Sequence, residues 1–189
     1  MSAIDSYLTQ FEAAVRGLSR QAVEAVVEAL LENLRAGRRI YLIGNGGSAS
    51  TAAHMMNDLN KTALVEGQPR FQALALTDNV PLLTAWGNDS AFEDVFVEQL
   101  RNFLQPDDLL IAISTSGNSP NILKAVEYAN AHGAVTVGFT GDPGGRLAEI
   151  SQLAVRVPTP DIGQQESGHL LLDHLVTHLL KSRLRESVG

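Results

Sequence analysis

The stretch DLLIAISTSGNSPNILKAVEYA, Asp108 to Ala129, joins an apolar run to a loop of hydroxyls and glycine, then to a helical pattern. A run as short as LLIAI, bounded by turn residues, suits a strand buried on both faces of a sheet. Ser119 stands where a helix N-cap would, Pro120 suits the first helical position, and Gly133 falls just past the end. The same order of strand, turn and helix recurs on either side. Upstream, RIYLIG (39–44) runs into GNGGS (44–48) and a helical stretch through Leu59. ALALT (73–77) then leads through DNVPLLTAWGND (78–89) to a helix near Phe92–Leu104. Downstream, AVTVGFT (134–140) leads to GDPGG (141–145), a short helix and LAVRV (153–157). A last helix fills roughly 164–185, and residues 60–70 read as a loop. Five apolar strands alternating with helices predict an α/β fold with a parallel sheet sandwiched by helices.

Two helical segments precede the first strand. In the second, Ser19 is the N-cap, and Val23, Val26, Val27, Leu30, Leu31 and Leu34 form one stripe that stops at Gly37. The organisation is therefore one domain over residues 1–189: N-terminal helices at about 3–36, a layered core at about 38–158, and the C-terminal helix. Composition agrees with a globular chain, at 44% hydrophobic and 19% charged with mean hydropathy +0.02. No leader-like apolar block and no membrane-length run stands in the sequence, and it contains no cysteine, so a cytoplasmic setting is expected. The net charge of −7 lacks the basic footprint of a nucleic-acid binder. Any anionic ligand must be held by local groups against the overall field.

Two loops suit an anion. GNGGS and STSGNS (114–119) each follow a strand and open a helix, where backbone N–H groups point outward with partial positive charge. Hydroxyls add donors, and glycine lets the backbone come close. Neither loop is a Walker A motif or GxGxxG, which sets a nucleotide cofactor aside and favours a monophosphate held by neutral donors. A well-capped, glycine-rich turn with no ligand would look the same.

GNGGSASTAAH (44–54), AWGNDSAFEDVF (85–96) and ISTSGNSPNILKAVEYA (113–129), in that order and spacing, resemble the sugar isomerase (SIS) family. GNGGS with a histidine six residues after Ser48 is similar to its heptose isomerase branch, and the likeness runs from about residue 5 to residue 182. The resemblance implies a single SIS domain of flavodoxin-like, three-layer build. It implies interconversion of sedoheptulose 7-phosphate and D-glycero-D-manno-heptose 7-phosphate through an enediol, assisted by a divalent metal, most simply zinc. By the same resemblance Ser114, Thr115, Ser116 and Ser119 hold the sugar phosphate. Asn45, Gly46, Gly47 and Ser48 line the sugar together with Glu166, and Asn88 and Asp89 close the pocket. A homotetramer with active sites between subunits is implied too. The branch also contains noncatalytic members, sugar-phosphate sensors or partners of the replication initiator, and these tend to lack the histidine found here at 174.

An enediol route needs a base, an acid and stabilisation of the enediolate charge. His54 and Asp58 are four residues apart on a helix and so share a face, a half-site for a metal or simply a solvated surface pair. Within the resemblance, Asp58 is the base, His174 is acid/base and metal ligand, and His54 and Glu166 complete the metal set. Matching HLLLDH (169–174) to the family fixes that register; matching Gln165 and Glu166 to the family's Gln-Glu pair is the other. His174 and His178 are an alternative metal pair, while His169 and His178 are expected to face solvent or a neighbouring helix. His132 is expected as a charge at a helix C-terminus. Asp58 stands where the family has glutamate and Glu166 where it has glutamine. The basic residue after that helix is matched only by Lys61, one position away. The shorter carboxylate leaves a related phosphosugar open as substrate.

Overall fold

The computed structural model describes residues 2–187. Helix α1 (Ala3–Arg16) and α2 (Arg20–Arg35) open it; Ser2 caps the first by accepting from Asp5 N–H, and Ser19 caps the second, as expected, by accepting from Ala22 N–H. The strands follow at β1 (Arg39–Gly44), β2 (Gln72–Ala75), β3 (Leu109–Ser114), β4 (Val135–Thr140) and β5 (Leu153–Arg156). All pair in parallel, in the order β2-β1-β3-β4-β5. Gly44 is level with Ile113, and Ser114 with Thr140, so three loops leave the sheet at one edge.

Alternation along the strands divides the core in two. Ile40, Leu42, Leu109, Ile111, Ile113, Val137 and Phe139 pack toward α2, α3 (Gly47–Asn57) and α8 (Ile162–Glu186). Tyr41, Ile43, Leu110 and Ala112 pack on the opposite face, toward α5 (Val97–Phe103), α6 (Pro120–Ala131) and α7 (Gly145–Ile150). The predicted three-layer architecture is the one found. Each fully buried Leu or Ile in these layers contributes about 1.5–3 kcal/mol.

Three segments depart from the expectation. Residues 80–89 form a helix, α4 (Val80–Asp89), with no buried residue. Its Asn79 cap and early proline set a helix start, but no apolar stripe betrays it. The helix expected at Phe92–Leu104 is broken into a 3₁₀ turn, Phe92–Asp94, and α5. Asp94 draws Ser90 from before the turn and Lys124 from α6, which holds the chain off a continuous helix. Within the predicted loop 60–70, the chain first makes a π-helical turn, Asp58–Thr62. Asn60 pins that turn to β2 by donating to Ala73 C=O at 2.8 Å and accepting from Ala73 N–H at 3.0 Å. No helix among the described residues is long and apolar enough to cross a membrane.

Candidate functional site

β1 and β3 are the neighbours at which the order of strand connections reverses, the place where open α/β sheets bind ligands. The loops after both strands meet there. Asn45 and Asn121 exchange two side-chain hydrogen bonds, each of 2.9 Å, and so tie the first loop to the start of α6. The second loop is braced by the chain after β4. Gly117 C=O accepts from Leu147 N–H at 2.8 Å, and Thr115 C=O accepts from Gly141 N–H at 3.0 Å. Gly117 has φ +63°, and a Cβ on it would fall 2.0 Å from Gly144 O, so no other residue fits this turn.

Asn45, Ser48, Ser114, Thr115, Ser116, Ser119, Ile113 and Glu166 line a recess of about 80 Å³. At about 30 Å³ per water, that is room for two or three waters. Ser114 Oγ accepts from Gly117 N–H and Ser116 Oγ from Asn118 N–H, both at 3.2 Å, which fixes their orientation without a ligand. Ser119 has N-cap backbone geometry, yet its hydroxyl makes no capping bond to α6. That oxygen is left facing the recess.

Two helices carry the rest of the site. α3 begins at Gly47 beside the recess, and α8, capped by Asp161 accepting from Gln164 N–H at 2.8 Å, passes over it. Glu166 lies against Gly47, where a Cβ would fall 2.5 Å from its Oε1. Further along both helices, His174 Nε2 meets His54 Nε2 at 3.1 Å. The helices therefore run side by side in the same sense. Gly47 to His54 spans about 10 Å along the axis, and Glu166 to His174 about 12 Å.

Below the histidines, Asp58 Oδ2 lies 3.8 Å from His54 Nε2, and Asp58 Oδ1 accepts from Thr62 Oγ1 at 2.8 Å. Asp58 begins the π turn, its C=O accepting from Ala63 N–H at 2.8 Å; single π turns inside helices recur at functional sites. Asp173 joins the group. One ligand atom from each of His54, Asp58, Asp173 and His174 lies within 4.8 Å of the others. Burial pushes the Asp173 carboxyl up to about 7, the Asp58 charge adds to this, and the Thr177 hydroxyl opposes it. Two imidazole nitrogens in contact over two carboxylates form a donor set that fits a divalent cation.

The expected residues divide accordingly. His54, Asp58 and His174 come together. Glu166, expected both against the sugar and on the metal, lines the recess and stands outside this cluster, eight residues along α8 from His174. Gln165 is buried and donates to Thr159 C=O at 2.7 Å, so Glu166 is the member of the pair that faces the site. Gly46 has φ +53° in the first loop and is exposed. Asn88 and Asp89 hydrogen-bond each other at 2.7 Å on the exposed end of α4 and do not line the recess. His178 is exposed and outside the cluster. His169, expected to face solvent or a neighbouring helix, is instead fully buried against Phe139 of β4. His132 stacks on Tyr128 and sets Nδ1 2.8 Å from its carbonyl, at the end of α6. Asp173 was missed; the only hint was an acid inside the apolar run LLLDHL.

Residues 4–141 match the family model of the SIS domain. Phosphoheptose isomerase of Rhodospirillum rubrum is 39% identical over 163 residues, which cover 86% of this chain and 86% of that protein. The phosphoheptose isomerase of Geotalea daltonii is 38% identical over 162 residues, covering 86% and 84%. Among solved structures, phosphoheptose isomerase from Neisseria gonorrhoeae superposes with TM-score 0.87 at 29% identity, covering 95% of this chain and 97% of that one. Its counterpart from Francisella tularensis gives 0.84 at 30% identity, covering 96% and 100%. The fold and paired loops are those of a SIS-domain protein. Within that class, the chain belongs to the phosphoheptose isomerase family.

Proposed function

We propose that the chain is a phosphosugar aldose–ketose isomerase whose substrate pair is sedoheptulose 7-phosphate and D-glycero-D-manno-heptose 7-phosphate. One observation carries this reading. A single pair of helices sets a hydroxyl-lined recess about 10 Å from a His–Asp–His group, a span suited to a ligand with phosphate at one end and carbonyl at the other. The names of the relatives support it.

The interconversion moves one hydrogen from the carbon beside the carbonyl to the carbonyl carbon. A proton passes from hydroxyl oxygen to the former carbonyl oxygen, and nothing is gained or lost. Asp58 takes the carbon-bound proton and returns it, its carboxylate steadied by Thr62 at 2.8 Å. His174 passes the proton between the two oxygens. Ser114, Thr115, Ser116 and Ser119, with the first N–H groups of α6, hold the phosphate. Asn45, Gly46, Gly47, Ser48 and Glu166 flank the sugar. His54, Asp58 and His174 would hold a divalent metal, zinc by the nature of the donors, and it supplies Lewis acidity to the oxygens that gain charge.

The same proposal takes residues 1–189 as one SIS domain acting in the cytoplasm, as a homotetramer. Exposed Ile4 (72%), Leu8 (59%) and Ile162 (64%) support burial by another copy, since Gln164 of α8 donates to Tyr7 C=O of α1 at 3.1 Å and makes these ends neighbours.

The test is turnover of sedoheptulose 7-phosphate by metal-stripped and zinc-restored protein, beside Asp58→Ala and His174→Ala. Zinc-dependent conversion lost in both variants is the expected result. Ligand binding with no conversion would replace this reading with that of a sugar-phosphate sensor.

A further inference from the structure

We propose that Asn121 is a positioning residue for the sugar: it fixes which way the Asn45 amide faces, and so the order of donor and acceptor offered to the ligand's hydroxyls. This rests on the reading above only in taking a phosphorylated sugar as the ligand. Asn121 is the second residue of α6, is buried and does not border the recess. Asn45 does border it, so Asn121 reaches a ligand only through Asn45.

Asn45 stands between Gly44 and Gly46, neither of which has a side chain to pack against it. Its backbone C=O is engaged by the start of α3, accepting from Ser48 N–H at 3.0 Å and Ala49 N–H at 3.3 Å. Its side chain is engaged by the start of α6. Nδ2 donates to Asn121 Oδ1, and Oδ1 accepts from Asn121 Nδ2, both at 2.9 Å.

Two amides joined in this way can turn over together and stay paired, because oxygen and NH₂ simply exchange places. Ile122 N–H removes that freedom. It donates to Asn121 Oδ1 at 3.0 Å as well as to Ser119 C=O at 3.0 Å. Turning the Asn121 amide over would set its NH₂ against that N–H, donor against donor. The helix start therefore fixes Asn121, and Asn121 fixes Asn45.

One N–H and one lone pair of Asn45 are left over. A phosphate dianion only accepts, so it can use the first and is repelled by the second. Sugar hydroxyls both donate and accept, and neighbouring hydroxyls can use both. The amide pair thus serves the polyol part of the ligand, beside the serine loop that takes the phosphate.

The test is a double-mutant cycle on the full chain, with affinity for sedoheptulose 7-phosphate read by calorimetry and folding checked by circular dichroism. Asn121→Ala is expected to weaken the sugar phosphate about fivefold, the worth of one neutral hydrogen bond, while shifting inorganic phosphate by less than about twofold. Made in Asn45→Ala protein, the same change is expected to weaken the sugar phosphate by less than about twofold. A loss of about fivefold in both backgrounds, or an equal loss for sugar phosphate and inorganic phosphate, overturns the proposal. So does unchanged affinity in Asn121→Ala, or no binding of the sugar phosphate by the wild type. If Asn121→Ala does not fold, a wild-type crystal soaked with sedoheptulose 7-phosphate decides. An intact Asn45–Asn121 pair with the Asn45 amide about 2.7–3.2 Å from a sugar hydroxyl supports the proposal. A broken pair, or an Asn45 amide that meets phosphate alone, overturns it. None of these readouts needs turnover, so a chain that binds the sugar phosphate without isomerising it defeats the isomerase reading and not this one.

Discussion

Ser119 separates two roles that a serine can play at the start of a helix. Its backbone has the cap conformation, but its hydroxyl makes no bond to α6 and borders the recess instead. An ordinary N-cap loses about 1 kcal/mol when cut to alanine. Ser119→Ala is therefore expected to leave the melting temperature of the free protein nearly unchanged while raising KM for the sugar phosphate severalfold. A clear drop in melting temperature with KM unmoved would return Ser119 to the bland capping role. Asp58→Ala, by contrast, should lower kcat by at least about a hundredfold, the usual worth of a positioned general base. Both residues were legible in the sequence, Ser119 from its place before proline and Asp58 from its spacing to His54. Asp173 was not, because what makes it informative is a contact with another helix. Nothing within LLLDHL says that a buried neighbour across the gap is also an acid.

At the scale of elements, the site is a consequence of α3 and α8 lying side by side. Gly47 allows the first of their two meeting points, since a Cβ there would fall 2.5 Å from Glu166 Oε1. Gly47→Ala displaces only the flexible end of a side chain, so stability should change by less than about 1 kcal/mol. Binding of the sugar phosphate should weaken severalfold as Glu166 swings out, with zinc affinity unaltered. Calorimetry with each ligand in turn checks this, and a parallel loss of zinc affinity would mean that Glu166 and the metal are coupled after all. Asn60→Ala tests the other support, and the loss of both bonds to Ala73 should cost about 1–3 kcal/mol in denaturant unfolding. The five strands were readable because short apolar runs ended at glycine and hydroxyl turns. α4 was not, since it buries nothing and so carries no stripe; the break before α5 depends on Asp94 pairing with Lys124 of α6, a partner 30 residues away. The packing of Glu166 on Gly47 was equally hidden, because sequence gives the spacing along α8 but not which turn of α3 lies opposite.

For the molecule as a whole, the net charge of −7 means that phosphate is met by hydroxyls and N–H groups against the general field, and the recess offers hydroxyls and amides with Glu166 as the one charged group of its lining. The layers are joined at one unusual point, where His169 of α8 is buried against Phe139 of β4. Neither ring nitrogen has a well-formed hydrogen bond, and burial lowers the imidazole pKa from 6.5, a weak backbone contact at Thr140 opposing. The sign follows from proton counting. Below about pH 6.5 the unfolded chain binds a proton at this histidine that the folded chain resists, so its contribution to stability is full above that pH and is lost as pH falls toward the folded value. Asp173 works the other way in the metal-free protein, favouring the fold at low pH and losing that contribution as pH rises from 3.8 to about 7. The wild-type curve alone therefore mixes two opposed slopes, and the informative quantity is a difference. His169→Gln keeps a neutral polar side chain of similar bulk and removes one titration while leaving Asp173 in place. Its melting temperature relative to wild type is expected to climb steadily as pH is lowered from 7 to 5, measured on metal-stripped protein at constant ionic strength. A difference that stays flat across that interval would show that His169 finds a partner for its proton inside the fold, and that the contact between α8 and β4 is indifferent to acid.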